Sequence, residues 1–230
     1  MYRNGFFLMG LLVYAAGVFA QQTDSRIVET ILEKCGLPDI AVESVAVMEN
    51  GRVTKLDLSN KDVSKDGISV LPAEIGLLTE LQELTCTDNV ITAIPAEIGS
   101  CVNLTKFNAA SNRITALVPE IGKLKNLTHL DLRHNSIEKL PPEIGDCSNL
   151  EFLWLWGNKL TELDPAITKL RKLQELYLKD NRLTTLPIGI VGMRFQYIDL
   201  LGNRLCNLSS VLDVWARKID DKYKSTQRCN

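Results

Sequence analysis

The chain has little of what a catalytic centre is built from. Its 230 residues include two histidines, His129 and His134, five positions apart. No serine or cysteine nucleophile, metal-ligand spacing or phosphate-cradling glycine loop accompanies them, so the sequence predicts no enzymatic activity, no metal and no cofactor. A basic stripe is also missing: 26 Lys and Arg stand against 28 Asp and Glu, for a formal charge of −2. That balance excludes the electrostatic footprint of a nucleic-acid binder. Beyond residue 20 no segment approaches the roughly 20 apolar residues that a bilayer-spanning helix needs.

The one long apolar run lies at the start. Arg3 precedes residues 6–20, which end Val18-Phe19-Ala20. The run is short for a membrane span, and residues 1–20 read as a secretory signal peptide. The expectation is a secreted protein, extracellular or periplasmic, with no stable membrane insertion after cleavage. Gln21 stands where lipid attachment would require cysteine, and the polar C-terminus offers no tail anchor.

What the chain has in abundance is repetition. Copies of one unit start at Leu81, Leu104, Leu127, Leu150 and Leu173, each 23 residues after the last. A degenerate copy starts at Val53 and a terminal one at Phe195. Apolar residues recur at positions 1, 4, 6, 11, 14, 18 and 21 of each unit, with asparagine at position 9. Such a period is the mark of a solenoid, in which no unit buries its apolar face alone and stacked units build one continuous core. The alternation at positions 4 and 6, Leu130 and Leu132 in the third full unit, reads as a short strand. Strand centres are expected at Leu56, Leu84, Phe107, Leu130, Leu153, Leu176 and Ile198. Asn89, Asn112, Asn135, Asn158, Asn181 and Asn203 fall where the chain leaves the strand, where a buried amide satisfies turn backbone. Leu-Pro or Ile-Pro followed by Ile-Gly on the return leg suits extended or short, tight helical backbone.

These residues resemble the leucine-rich repeat family in its 23-residue form. The resemblance implies an α/β solenoid: a horseshoe with a seven-stranded parallel sheet on the concave face, an irregular or short-helical convex face, and helical caps. The expected organisation is a signal peptide (1–20), an N-terminal cap of helix and hairpin (21–52), repeats (53–208) and a C-terminal cap helix (209–230). The first repeat departs from the pattern. Lys61 replaces the asparagine, and about five extra residues enter within 64–69.

The caps have their own signals. Ile27, Val28, Ile31, Leu32 and Cys35 share one helical face, with Thr23 or Asp24 to cap its start and Gly36 its end. Val45 and Val47 alternate before the hairpin turn Asn50-Gly51. At the other end Val211, Leu212, Trp215 and Ile219 share a face, and Ser210 and Asp213 have capping-box spacing. Of six cysteines, Cys86, Cys101 and Cys147 replace core residues of the repeat and read as buried free thiols. Cys101 and Cys147 are two units apart, roughly 10 Å at strand spacing, past the about 7 Å reach of a disulfide. Cys35 has no evident partner. An Asn-x-Leu-Cys start, a tryptophan-bearing helix and a late cysteine resemble the cysteine-bearing C-caps of secreted leucine-rich repeat proteins, which implies a Cys206–Cys229 bridge.

Outward positions 3, 5 and 7 form three stripes across the expected concave face. The early units are small and polar there. The later ones gather Phe152, Trp154, Trp156, Tyr177 and Tyr197, rimmed by His129, Arg133 and Lys179. Exposed apolar patches mark interaction sites, and Trp, Tyr and Arg are the types enriched at binding hot spots. Cross-strand packing explains adjacent rings but not three on one strand. These eight residues are therefore the candidate ligand-binding set. The family resemblance implies a secreted or cell-surface recognition module holding a protein or peptide on its concave face. The alternatives are a carbohydrate-binding adhesion protein and a secreted enzyme inhibitor.

Overall fold

A computed structural model of the chain describes residues 24–60, 67–219 and 222–229. The signal-peptide reading, the Thr23 cap, Lys61 and the first part of the insertion lie outside the described residues.

One eight-stranded sheet runs the length of the array in sequence order. Seven strands are parallel: β2 (Arg52–Asp57), β3 (Glu83–Thr85), β4 (Lys106–Asn108), β5 (His129–Asp131), β6 (Phe152–Trp154), β7 (Glu175–Tyr177) and β8 (Tyr197–Asp199). β3 to β8 centre on Leu84, Phe107, Leu130, Leu153, Leu176 and Ile198, and Leu56 pairs with Leu84 in β2. These are the seven parallel strands expected, and the sheet carries an eighth, antiparallel one. β1 (Ala46–Glu49) pairs antiparallel with β2 across the turn Asn50-Gly51, whose φ angles of 50° and 77° are those of a type I′ hairpin. The cap hairpin thus extends the sheet by one strand.

β1 alternates, but with Ala46 and Met48 half-buried and Val47 and Glu49 exposed, and its register shifts between Val47 and Met48. Val45 ends a short helix, α2 (Val42–Val45), and Val47 is exposed opposite Lys55. Met48 packs against the core in its place. A helix over residues 24–34, α1, closes the N-terminal end with Val28, Ile31 and Leu32 buried and Gly36 at φ 76° just beyond it. Asp24 is buried, and its carboxylate accepts the Val53 N–H at 2.8 Å and the Arg52 Nε–H at 3.1 Å. It ties the cap helix to the first strand.

Each return leg contains a five-residue 3-10 turn, such as Pro119–Lys123 or Pro142–Asp146. Proline at or just before its start costs no hydrogen bond, because the first N–H of a helix has no partner to lose. The Ile-Gly pair follows from stacking. A Cβ on Gly145 would stand 2.3 Å from the Ala166 carbonyl oxygen of the next unit, so only glycine lets the turns close up.

The asparagine ladder is buried throughout. Asn135 is typical: Oδ1 accepts the Ile114 N–H at 2.9 Å, and Nδ2 donates to the carbonyls of Ala109 (2.9 Å), Leu132 (3.1 Å) and Arg133 (3.2 Å). Each amide closes its own turn and fastens it to the preceding unit. Asn89 does the same toward the irregular first unit, accepting from Ile68 N–H and donating to the Leu58 carbonyl.

At the C-terminal end α3 (Ser210–Ile219) buries Leu212 and Ala216 and half-buries Trp215, while Val211 and Ile219 are exposed. The buried face is thus rotated from the one expected. Its neighbour is Tyr223, fully buried, whose hydroxyl donates to the Asp213 carboxylate. Asp213 also holds Arg217 at 2.9 Å, so it anchors the following turn and not the expected capping box. A Cys206–Cys229 disulfide brackets the helix, with Cα atoms 5.9 Å apart. Cys86, Cys101 and Cys147 are buried free thiols. Cys101 and Cys147 each donate to a carbonyl of the preceding unit at 3.2 Å.

Candidate functional site on the concave sheet

The parallel register sets like positions side by side. His129 lies opposite Phe152, Asp131 opposite Trp154, and Trp154 opposite Tyr177. Position 4 is buried in every unit, which turns positions 3 and 5 outward.

The centre of the site is a guanidinium between two indoles. The Arg133 carbon Cζ stands 5.1 Å from the Trp154 ring centroid and 5.7 Å from that of Trp156, within cation–π range. Buried Asp131 holds it there: Oδ1 accepts from Nε at 2.8 Å and Oδ2 from Nη2 at 2.7 Å, a two-pronged pair. That hydrogen bond raises the arginine pKa further above its ordinary value. Arg133 was expected at the rim but sits inside the stack.

Rings continue on both sides. His129 stacks on Phe152 with centroids 4.3 Å apart and planes 23° apart, and its Nδ1 is 2.8 Å from the Thr128 hydroxyl. Burial, then nearby Lys106, lowers the His129 pKa below its ordinary 6.5, so the ring is neutral at pH 7 and acts as a stacking surface. The turn residue His134 adopts φ 52° and sets its ring edge-on to Trp156 at 4.0 Å. Gly157, at φ 71°, leaves room for it, since a Cβ there would come within 2.8 Å of His134 Nδ1. Trp154 meets Tyr177 edge-on at 6.1 Å, and Tyr177 meets Tyr197 at 4.8 Å. The structure therefore joins five of the eight candidate residues, Arg133, Trp154, Trp156, Tyr177 and Tyr197, in one run of ring and guanidinium contacts, and pairs His129 with Phe152 on the same sheet. Lys179 stays exposed at its border, outside the ring contacts.

One polar atom in the surface is unsatisfied. The Trp154 Nε1–H is buried and has no acceptor among the described residues. Indole N–H groups normally find a partner when buried. Sequence reasoning missed Asp131 and His134. An acid two residues before an arginine on one strand face was the available signal for the first, and the left-handed turn conformation that aims His134 has no signal in its residue type.

These features define a repeat solenoid with an aromatic concave face. The family described as leucine-rich repeat region matches residues 111–213. No curated protein matches the chain by sequence. Solved structures do. A leucine-rich repeat protein of Leptospira interrogans is 34% identical with a TM-score of 0.51, over 63% of this chain and 43% of that one. A plant ice-binding protein is 25% identical with a TM-score of 0.66, over 80% and 64%. The leucine-rich repeat ectodomain of the Arabidopsis thaliana receptor kinase GASSHO1/SCHENGEN3, solved in complex with Casparian strip integrity factor 2, is 29% identical with a TM-score of 0.63, over 76% and 22%. The chain spans less than two thirds of the length of each of these structures. Its repeats and fold are similar to those of leucine-rich repeat proteins.

Proposed function

We propose that the chain is an extracellular, non-catalytic recognition module that holds a protein or peptide segment across the aromatic surface of β5 to β8. The observation that carries this reading is the Arg133 guanidinium against Trp154 and Trp156, in a run of rings that continues through Tyr177 to Tyr197. Large rigid rings supply contact area at low entropic cost. The complexed receptor ectodomain among the structural neighbours supports a binding role for such a solenoid. Secretion rests on the signal-peptide reading of residues 1–20. Sugar stacking fits the site less well, because it needs open indole faces and Arg133 already lies over both.

The test is capture of a partner by the chain lacking residues 1–20, followed by hydrogen–deuterium exchange on the complex. Protection is expected at residues 129–133, 152–156, 175–179 and 197–199. Protection confined to the 3-10 turns of the convex face would refute the reading.

A further inference from the structure

The aromatic surface ends in a corner where acids and rings meet as they do around Arg133, and among the described residues no ion pair neutralises its two carboxylates. β7 and β8 set Glu175 opposite Tyr197, and Tyr177 opposite Asp199. Acid and ring alternate as on a checkerboard, with the tyrosine rings meeting across the diagonal at 4.8 Å. Tyr197 is 47% exposed, Glu175 and Tyr177 are half-buried, and Asp199 is only 8% exposed.

Asp199 and Asp131 hold the same position in their units. Each accepts the backbone N–H two residues on, at 3.0 Å from Leu201 and 3.1 Å from Arg133. There the likeness stops. Asp131 is neutralised by the Arg133 guanidinium, which lies over two rings. In the Asp199 unit the arginine position is occupied by Leu201. Among the described residues neither Asp199 nor Glu175 is in an ion pair; Lys179, two positions past Tyr177, pairs with neither. A carboxylate withdrawn this far from water favours a countercharge, and ring faces attract cations. The field of the corner is negative: burial, then Glu175, raises the Tyr177 hydroxyl pKa, with Tyr197 and Asp199 adding to it.

We infer that this corner receives a lysine or arginine side chain of the protein or peptide partner, its cation lying against Tyr177 and Tyr197 with Glu175 and Asp199 as counter-ions. The inference rests on the binding role proposed for the aromatic surface and names the chemistry that one end of it selects. Asp131, Arg133 and the two indoles are its intramolecular precedent.

The probe is N-acetyl-arginine amide, titrated into the isotope-labelled chain, with the neutral isostere N-acetyl-citrulline amide as control. Saturable amide shifts are expected at residues 175–179 and 197–201, with binding about tenfold weaker for citrulline, the size of a desolvated cation–π contact. Glu175→Gln should weaken the arginine probe to a similar degree, and added salt should weaken it further. Equal binding of the two probes, shifts only elsewhere, or indifference to Glu175→Gln would overturn the inference. Asp199→Asn, which keeps an acceptor for the Leu201 N–H, gives a second variant should the first misfold. Partner capture separates the two ideas. Loss in Trp154→Ala/Trp156→Ala with retention in Glu175→Gln and Asp199→Asn leaves the surface reading standing and removes this one.

Discussion

Replacing Asn135 with alanine should weaken the middle of the array by about 3 kcal/mol. The amide makes four hydrogen bonds, one accepted from Ile114 N–H and three donated to the carbonyls of Ala109, Leu132 and Arg133. Alanine removes all four and supplies no water path to the groups left behind, because Ile114 and Ala109 are fully buried. One orphaned buried group costs about 1–3 kcal/mol, and two of those four partners lie in the preceding unit where nothing else is positioned to replace the amide. For a chain of this size that loss corresponds to a drop of about 10 °C in the unfolding midpoint. Circular dichroism during thermal and urea unfolding reads it. Lys139→Ala is the matched control, since that side chain is exposed and pairs only with exposed Glu162. Equal midpoints for the two variants would refute the idea that the ladder holds unit to unit.

Further outcomes follow from other parts of the molecule. Gly145→Ala should destabilise by about 1–3 kcal/mol through overpacking against the Ala166 carbonyl, whereas Gly192→Ala, with open space around it, should be tolerated; the same unfolding assay compares them. Cys86, Cys101 and Cys147 should resist alkylation in the folded chain, because burial pushes each thiol up to about 12, and all three should label in denaturant. Peptide mapping without reductant should recover Cys206 joined to Cys229, and free thiols at both would contradict it. The C-terminal cap should respond to acid. Hydrogen bonds from Tyr223 and Arg217 hold Asp213 down to about 2 from 3.8, so their stabilisation is present above pH 3.8 and is lost as pH falls toward 2. Asp213→Asn should flatten that acid transition, as read by Trp215 fluorescence.

Much of the fold was legible because the repeat states its own geometry. Leu130 and Leu132 could only turn inward together on a strand, Asn135 could only be tolerated inside by bonding backbone, and copies of that logic 23 residues apart fixed the parallel register. The caps were less legible since nothing repeats there. The direction of β1 followed from Asn50-Gly51, but its bulge at Val47/Met48 depends on tertiary packing, and so does the rotation of α3 toward Tyr223. At the site, residue type and register exposed the rings. They did not reveal that Arg133 is drawn inward by Asp131, or that Asp199 lacks such a partner, because both depend on which side chain neutralises which carboxylate.

The central claim is that Trp154 and Trp156, with Arg133 against both, form the anchor of a partner interface. It is tested most directly by titration calorimetry of a captured partner against the wild-type chain and the Trp154→Ala/Trp156→Ala variant. The account predicts a variant that keeps the wild-type circular dichroism spectrum and binds at least about 2 kcal/mol more weakly, the scale of a hot spot. A folded variant with unchanged affinity would contradict it.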